Sequence, residues 1–168
     1  MQTSVSARFV DRALHAGDRL ARNLGMDSRE LTDIHRLRQL PEGSFGKELA
    51  NFLDRHQLVP LSGILRRKQL HDSVHVLTGY EADPLGEAEV QAFLLGAKFF
   101  LPNLLVGMVL MGAIRRQLPH LNYSQQEVRQ RLWQAYWRGR RANFDPDRWQ
   151  PEQLLEMPLD RVRHRFGV

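Results

Sequence analysis

The residues best suited to chemistry stand in one short segment: His71, Asp72 and His75, with Glu87 twelve residues after His75. On a helix with about 100° of rotation per residue, the two histidines lie one turn apart on one face, and Asp72 lies beside them. Glu87 can return to this face if residues 84–86 form a loop. Two imidazoles with one or two carboxylates suit Zn²⁺, Fe²⁺ or Mn²⁺ and leave positions for water or substrate. The pattern therefore predicts a metal centre that could polarise a substrate oxygen.

Two other interpretations of this segment stay open. With seven histidines in the chain, a pair four residues apart often arises by chance, and the face would then be merely solvated. The His-Asp dipeptide is also typical of helical metal-dependent phosphohydrolases, which need one more histidine upstream and one more aspartate downstream. His35, His56 and Asp145 are the candidates for these positions. The chain has no cysteine, which excludes thiolate zinc sites, thiol nucleophiles and disulfides.

The surrounding sequence predicts an all-α fold, a compact single-domain helical bundle formed by residues 1–168. No segment of strand length alternates with a period of two. Gly79 is expected to end the motif helix in a left-handed conformation, and Ser124 with Glu127 forms a capping box. The predicted helices are an amphipathic one within residues 1–30, then 28–37, 45–53, 62–78, 87–114 and 124–142, and a short last helix that begins at Pro158 and ends at Gly167.

A long uncharged run follows the metal motif. Residues 99–114 carry no charge, but Lys98 and Arg115 bound the run and Pro102 interrupts it, so it is too short for a membrane span of about 20 residues. The simplest interpretation is the central helix of the bundle. The alternatives are a wall for a long apolar ligand, or a surface that docks on a membrane or on a second copy in a homodimer. The candidate lipid-binding residues are Phe99, Leu104, Val106, Val109 and Met111.

The charge pattern leaves several partner classes open. The formal net charge is +5, and arginine supplies all but three of the 24 basic residues. This balance permits attraction to nucleic acid, anionic lipid or phosphorylated small molecules, although dispersed solvated charges are the simplest explanation. One basic-aromatic patch has its aromatic residues three or four apart, which favours core packing over base stacking, and no nucleic-acid partner is predicted. Its residues are Trp133, Tyr136, Trp137, Arg138, Arg140 and Arg141.

The first residues carry arginines at helical spacing, as organelle transit peptides do. Asp11 and Asp18 argue against a transit peptide, and an apolar core of the secretory kind is missing. We therefore expect neither a transit nor a signal peptide, and a location in the bacterial cytoplasm, with contact at the inner face of the membrane as an option.

Several segments in the same order resemble one family, the coenzyme Q biosynthesis proteins usually called Coq-four. Its hallmark is H-D-x-x-H, eleven residues, then E, and His71, Asp72, His75 and Glu87 reproduce it with the spacing intact. The flanking similarity covers about residues 31 to 168. It includes the segments 38–46, 52–54, 75–79, 139–142 and 158–168.

The resemblance implies an α-helical protein of ubiquinone biosynthesis that acts on polyprenylated aromatic-ring intermediates. It implies a lyase that performs metal-dependent oxidative decarboxylation, in which ring C–COOH of a polyprenylated hydroxybenzoate is replaced by C–OH. The four motif residues would be metal ligands and catalytic residues, with zinc as the usual ion. The alternative is a non-enzymatic scaffold that binds polyprenyl lipid and organises other quinone-biosynthesis enzymes at the membrane.

Overall fold

The computed structural model describes residues 33–58, 70–99 and 123–168, and these ranges contain no β-strand. The predicted all-α class is therefore confirmed. A short 3₁₀ helix at Pro151–Gln153 precedes the last α-helix. The α-helices are α1 (Ile34–Arg38), α2 (Phe45–Arg55), α3 (His71–Thr78), α4 (Pro84–Ala97), α5 (Gln125–Arg141) and α6 (Leu159–Phe166).

Short polar residues begin four of these helices. Asp33 accepts a hydrogen bond from the backbone nitrogen of His35, and Ser44 caps α2. The predicted capping box of α5 is confirmed, since Ser124 and Glu127 bond reciprocally to each other's backbone nitrogen. These caps satisfy backbone donors that would otherwise lack partners, so the helix starts are fixed locally by sequence.

The helix predicted at residues 87–114 corresponds to α4, and its predicted bounds were wrong at both ends. Helix α4 begins at Pro84, because Asp83 accepts a hydrogen bond from the nitrogen of Gly86 and proline suits the first helical position. It ends at Ala97, not at residue 114. Lys98 has an extended backbone, and its ammonium group pairs with Asp145 at 3.0 Å, which holds the helix end against the segment after α5.

Most of the uncharged run lies outside the described residues. This applies to Leu104, Val106, Val109 and Met111, and likewise to the predicted helix within residues 1–30. Phe99 is the described lipid-binding candidate, and its side chain is highly exposed directly after α4. Among the described helices, none has both the length and the apolar character needed to cross a bilayer.

Helices α4 and α5 cross with their backbones in direct contact. A Cβ atom added at Gly139 would overlap the carbonyl oxygen of Phe93, and one added at Gly96 would overlap that of Tyr136. Only residues without a side chain allow this approach. The crossing therefore fixes the position of α5 relative to α4 through direct backbone contact.

Arginine side chains tie the helices together at two further points. Arg131 donates two hydrogen bonds to the buried carboxylate of Glu89, at 2.8 and 2.6 Å, which joins α5 to α4. Arg163 of α6 donates to the carbonyls of Leu77 at 3.1 Å and Val76 at 3.2 Å. Those carbonyls belong to the last turn of α3, which has no intrahelical partner for them.

The main core lies where α1, α2, α3, α4 and α6 meet. The backbone nitrogen of Phe45 donates to the carbonyl of Met157 at 2.8 Å, so the start of α2 is joined to the segment before α6. Rings of Phe144, Trp149 and Phe166 pack edge to face against one another in the same core. The largest fully buried apolar side chains include Phe45, Phe93, Leu37, Leu53, Leu77, Val90 and Val162.

Candidate metal centre

Helix α3 carries the motif and is buried on nearly every side. The exposed fraction of His75 is 1%, and its ring stacks on that of Phe52 with centroids 5.3 Å apart. Gly79 ends the helix in the left-handed conformation that was predicted, with φ of 77°. His75 is thus a core residue held by an aromatic ring, whereas His71, one turn earlier, is partly open to solvent.

Three motif side chains converge on one point. His71 Nε2 lies 3.2 Å from one oxygen of Glu87, and His75 Nε2 lies 3.3 Å from the other. One ligand atom from each residue can be chosen so that all three lie within 4.8 Å of one another. His71 and Glu87 are partly exposed and His75 is buried, so the group lies between the core and the surface.

Asp72 has a different position. Its carboxylate lies 3.6 Å from Nδ1 of His71, on the side of the ring opposite Nε2, and it does not belong to the three-residue group. A carboxylate behind a ligating histidine orients the ring and raises its basicity. At 3.6 Å Asp72 lies beside His71 without a hydrogen bond, so its effect on the ring is that of a nearby charge, and the other three residues offer the atoms that could bind an ion.

The hydrogen bonding of His75 fits a bound cation. Its Nδ1 lies 3.0 Å from the carbonyl oxygen of Tyr80, and because a carbonyl can only accept, Nδ1 must carry the proton. In the neutral ring, Nε2 then presents a lone pair, buried and without a hydrogen-bond partner, toward a Glu87 oxygen that can also only accept. Two facing lone pairs at 3.3 Å repel unless a positive charge lies between them, and either a proton on Nε2 or a divalent ion with nitrogen and oxygen ligands can supply it.

The charges of the site are strongly coupled. Burial lowers the pKa of His71, but the carboxylates of Asp72 and Glu87 outweigh it and raise that pKa to about 10. Burial raises the pKa of Glu87, whereas the adjacent imidazoles of His71 and His75 outweigh it and lower that pKa to about 2. Without a metal ion, a proton on His71 therefore balances the Glu87 carboxylate at neutral pH.

A tight turn brings Glu87 to the two histidines. Asp83 caps the start of α4, and a Cβ at Gly86 would overlap the carbonyl oxygen of Glu81, so the chain can fold back only because residue 86 has no side chain. Glu87 thus lies in the first turn of α4. The predicted loop at residues 84–86 was wrong, because Asp83 caps the helix and Pro84 is its first residue.

The phosphohydrolase interpretation has no support in the described residues. His56 lies 3.1 Å from Glu81, and Asp145 pairs with Lys98, so neither joins the three-residue group. His35 is exposed on α1. Two contributors were not predicted at all: the ring of Phe52 and the backbone carbonyl of Tyr80. A backbone carbonyl leaves no signal in a sequence, so Tyr80 could not have been found from residue types.

The basic-aromatic patch is a surface, and the prediction that it packs in the core was wrong. Trp133 is 62% exposed and Trp137 40% exposed, one turn apart on the outer side of α5. Arg141 lies over the Trp137 ring at 6.0 Å. We call Trp133, Trp137, Arg140 and Arg141 the outer face of α5. The core side of the helix is supplied instead by Val128, Ala135 and Gly139.

Comparison with known proteins points to one family. The family model described as coenzyme Q (ubiquinone) biosynthesis protein Coq4 matches residues 20–168. Among curated relatives, the mouse mitochondrial ubiquinone biosynthesis protein COQ4 homolog is 31% identical over 150 residues, which is 81% of this chain and 54% of that protein. The human mitochondrial homolog is 31% identical over 155 residues, covering 84% of this chain and 56% of that protein. The chain thus spans about half the length of these relatives.

A solved structure shares the fold. A candidate ubiquinone biosynthesis protein from Nostoc punctiforme superposes with a TM-score of 0.70, covering 99% of this chain and 82% of that one. The two chains are 20% identical, so the likeness concerns the arrangement of helices.

Proposed function

Because this chain belongs to the Coq4 family of ubiquinone biosynthesis proteins, we propose that it is a metal-dependent enzyme acting on a polyprenylated hydroxybenzoate. The observation that supports this most is the convergence of His71, His75 and Glu87. Within this group, Nε2 of His75 is buried and has no hydrogen-bond partner. The family identity supplies the pathway, and the three side chains supply the place where chemistry would occur.

In this proposal the ion is held by Nε2 of His71, Nε2 of His75 and the carboxylate of Glu87. Asp72 adds a nearby negative charge behind His71, and the Tyr80 carbonyl orients His75. A bound Zn²⁺, Fe²⁺ or Mn²⁺ would act as a Lewis acid toward an anionic substrate oxygen. Phe52 stacks on His75 and keeps water from the inner side of the site.

The reaction we propose replaces ring C–COOH by C–OH. The bond between the ring carbon and the carboxyl carbon breaks, carbon dioxide leaves, and a new bond to oxygen forms. If water supplies the oxygen, two protons and two electrons are released, so the step needs a two-electron acceptor. If dioxygen supplies it, a two-electron reductant is needed as well. Glu87 is the proposed proton acceptor, since its carboxylate is ionised and partly exposed and, in this proposal, one of its oxygens binds the ion while the other stays free.

We also propose that the protein contacts a membrane surface through the outer face of α5. Tryptophan is enriched at bilayer interfaces, and arginine attracts anionic headgroups. Arg140 and Arg141 are exposed, and among the described residues neither pairs with a carboxylate. A polyprenyl substrate partitions into lipid, so an interfacial contact would bring the protein to it. The lipid-binding candidates of residues 99–111 would then hold the tail.

The alternative is a non-enzymatic scaffold that binds polyprenyl lipid and organises other enzymes of the pathway. The exposed aromatic surface of α5 favours it, because a scaffold needs a docking surface more than it needs a reactive centre. In that case the three-residue group would be a structural metal site.

Turnover by the purified protein separates the two functions. Protein loaded with Zn²⁺, Fe²⁺ or Mn²⁺ is incubated with a polyprenylated hydroxybenzoate carrying ¹³C in the carboxyl group, under dioxygen with a reductant, or without oxygen with an electron acceptor. The enzyme proposal expects labelled carbon dioxide and a ring hydroxyl in equal amounts, and their loss in a His71→Ala/His75→Ala variant. Lipid binding without turnover under every condition would favour the scaffold.

A further inference from the structure

One backbone carbonyl and one stacked ring, those of Tyr80 and Phe52, hold the imidazole of His75. Nδ1 of this buried ring has the Tyr80 carbonyl as its partner, at 3.0 Å, and that bond keeps Nε2 directed at Glu87. Tyr80 follows directly after Gly79, the left-handed residue that ends α3. The position of the turn at residues 78–80 therefore sets the hydrogen-bond partner of Nδ1 and so helps to direct Nε2.

One side chain from another helix holds this turn on both sides of Gly79. Arg138 of α5 donates from Nη1 to the Thr78 carbonyl at 2.7 Å. Its guanidinium group also lies over the ring of Tyr80, 5.4 Å from the centroid. The Thr78 carbonyl is at the end of α3, where no intrahelical donor reaches it. The same guanidinium group thus supplies a hydrogen-bond donor to the end of α3 and holds the ring of Tyr80.

Arg138 is itself fixed relative to the helix that carries Glu87. The next residue, Gly139, lies against the backbone of Phe93 in the close crossing of α4 and α5. The guanidinium group consequently links the end of α3, which bears the histidines, to the frame of α4, which bears the carboxylate. Arg138 acts on the site through Thr78 and Tyr80, and it does not contact the proposed ligand atoms of His71, His75 and Glu87.

We propose that Arg138 is a positioning residue for the His75 imidazole, acting through the turn at residues 78–80. This proposal rests on the metal site of the proposed function, but its first consequence is the orientation of the His75 imidazole in the metal-free protein. Loss of Arg138 frees the turn, the Tyr80 carbonyl moves from Nδ1, and Nε2 no longer faces Glu87 in one fixed orientation. Partners of this kind typically change metal affinity by about 10–100-fold when they are removed.

The test compares Arg138→Met, Arg138→Lys and the matched control Arg140→Met, which removes an exposed arginine two residues away on the same helix. In metal-free protein, NMR follows the hydrogen-bonded Nδ1–H proton of His75. Chelator competition then gives the affinity for Zn²⁺, and absorption of bound Co²⁺ reports its geometry. We expect Arg138→Met to lose or shift the Nδ1–H resonance and to bind Zn²⁺ about tenfold or more weakly. Arg138→Lys should restore part of both, because an ammonium group can still donate to Thr78.

Unchanged Nδ1–H resonance and Zn²⁺ affinity within twofold of wild type in Arg138→Met would overturn the proposal, as would equal losses in Arg140→Met. If Arg138→Met does not fold, Arg138→Gln carries the same test, since it keeps an amide donor but has no charge to place over Tyr80. If the wild-type protein binds no metal at this site, the metal part of the proposed function fails. The Nδ1–H resonance still decides the role of Arg138 in that case.

Discussion

Glu87 approaches the two histidines from a different helix, so its charge can be removed without disturbing α3. We expect Glu87→Gln to keep the fold but to weaken divalent-metal affinity by more than the roughly 10–100-fold typical of losing an outer partner. The physical reason is that the amide keeps size and hydrogen bonding while the anion that balances the ion is gone. Metal content after dialysis and chelator competition measure the effect.

Glu48→Gln is the matched control, because Glu48 also stands in the first turn of a helix, α2. It should leave metal affinity unchanged. Equal metal binding in wild type and Glu87→Gln would mean that Glu87 serves only the helix dipole at the start of α4.

The raised pKa of His71 predicts that metal binding displaces a proton. With a pKa of about 10, metal-free His71 is protonated at pH 7 and must lose that proton to bind an ion. Binding should therefore release about one proton per ion, and affinity should rise about tenfold per pH unit between pH 6 and 9, levelling as pH passes the pKa. Calorimetry in buffers of different ionisation enthalpy counts the released protons.

His35→Ala is the control for the proton count, since His35 is exposed on α1. It should release the same number of protons as wild type, whereas His71→Ala should bind weakly and release none from this position. Proton release that is absent in wild type would contradict the charge coupling of His71 with Glu87.

For the candidate metal site, the sequence predicted which residues take part better than it predicted the role of each one. The spacing of His71 and His75 with Glu87 was enough to bring three ligand groups together. Asp72 was predicted to be a fourth ligand, because its distance along the chain from His71 does not show on which side of the imidazole ring its carboxylate lies. The Tyr80 carbonyl and Arg138 were beyond prediction, since their contacts depend on how helices distant in sequence pack.

The crossing of α4 and α5 holds in place the helix that carries Glu87. Gly139→Ala should lower the free energy of unfolding by about 1–3 kcal/mol, the range for overpacking, because its Cβ would overlap the Phe93 carbonyl. Urea unfolding followed by circular dichroism measures this. Arg140→Ala, at the exposed neighbouring position, should change stability by no more than about 0.5 kcal/mol. Similar values for both variants would mean that the helices can separate freely.

The start of α5 was predictable from the capping box at Ser124, whereas the start of α4 was missed although Asp83 caps it. Helix ends were less predictable. The expected helix through residue 114 ignored the possibility that Lys98 would leave the helix to pair with Asp145, a residue 47 positions away. Periodicity reports where a helix could continue, and tertiary ion pairing decides where it stops.

For the whole molecule, the outer face of α5 makes a quantitative prediction. Each arginine near an anionic surface contributes about 1 kcal/mol, so Arg140→Gln/Arg141→Gln should weaken binding to phosphatidylglycerol vesicles roughly thirtyfold at low salt. Vesicle sedimentation measures it. Replacing Trp133 by serine should also weaken binding, with loss of the blue shift in tryptophan emission.

A variant with the same charge change elsewhere, Arg36→Gln/Arg55→Gln, is the control and should weaken binding far less. Equal effects of the two double variants would indicate attraction by net charge alone. If wild-type protein does not bind anionic vesicles but forms dimers that Trp133→Ser disrupts, the face is an interface between copies of the chain.

The contact of Arg163 with α3 has a consequence for biosynthesis of the protein. Arg163 lies 86 residues after Leu77, whose carbonyl it caps. Because a ribosome makes the chain from its amino end, both motif histidines exist well before the side chain that closes their helix. The end of α3 therefore gains this donor only after α6 has been translated and has docked, and we expect an ion at the proposed metal site to be bound after synthesis of the chain.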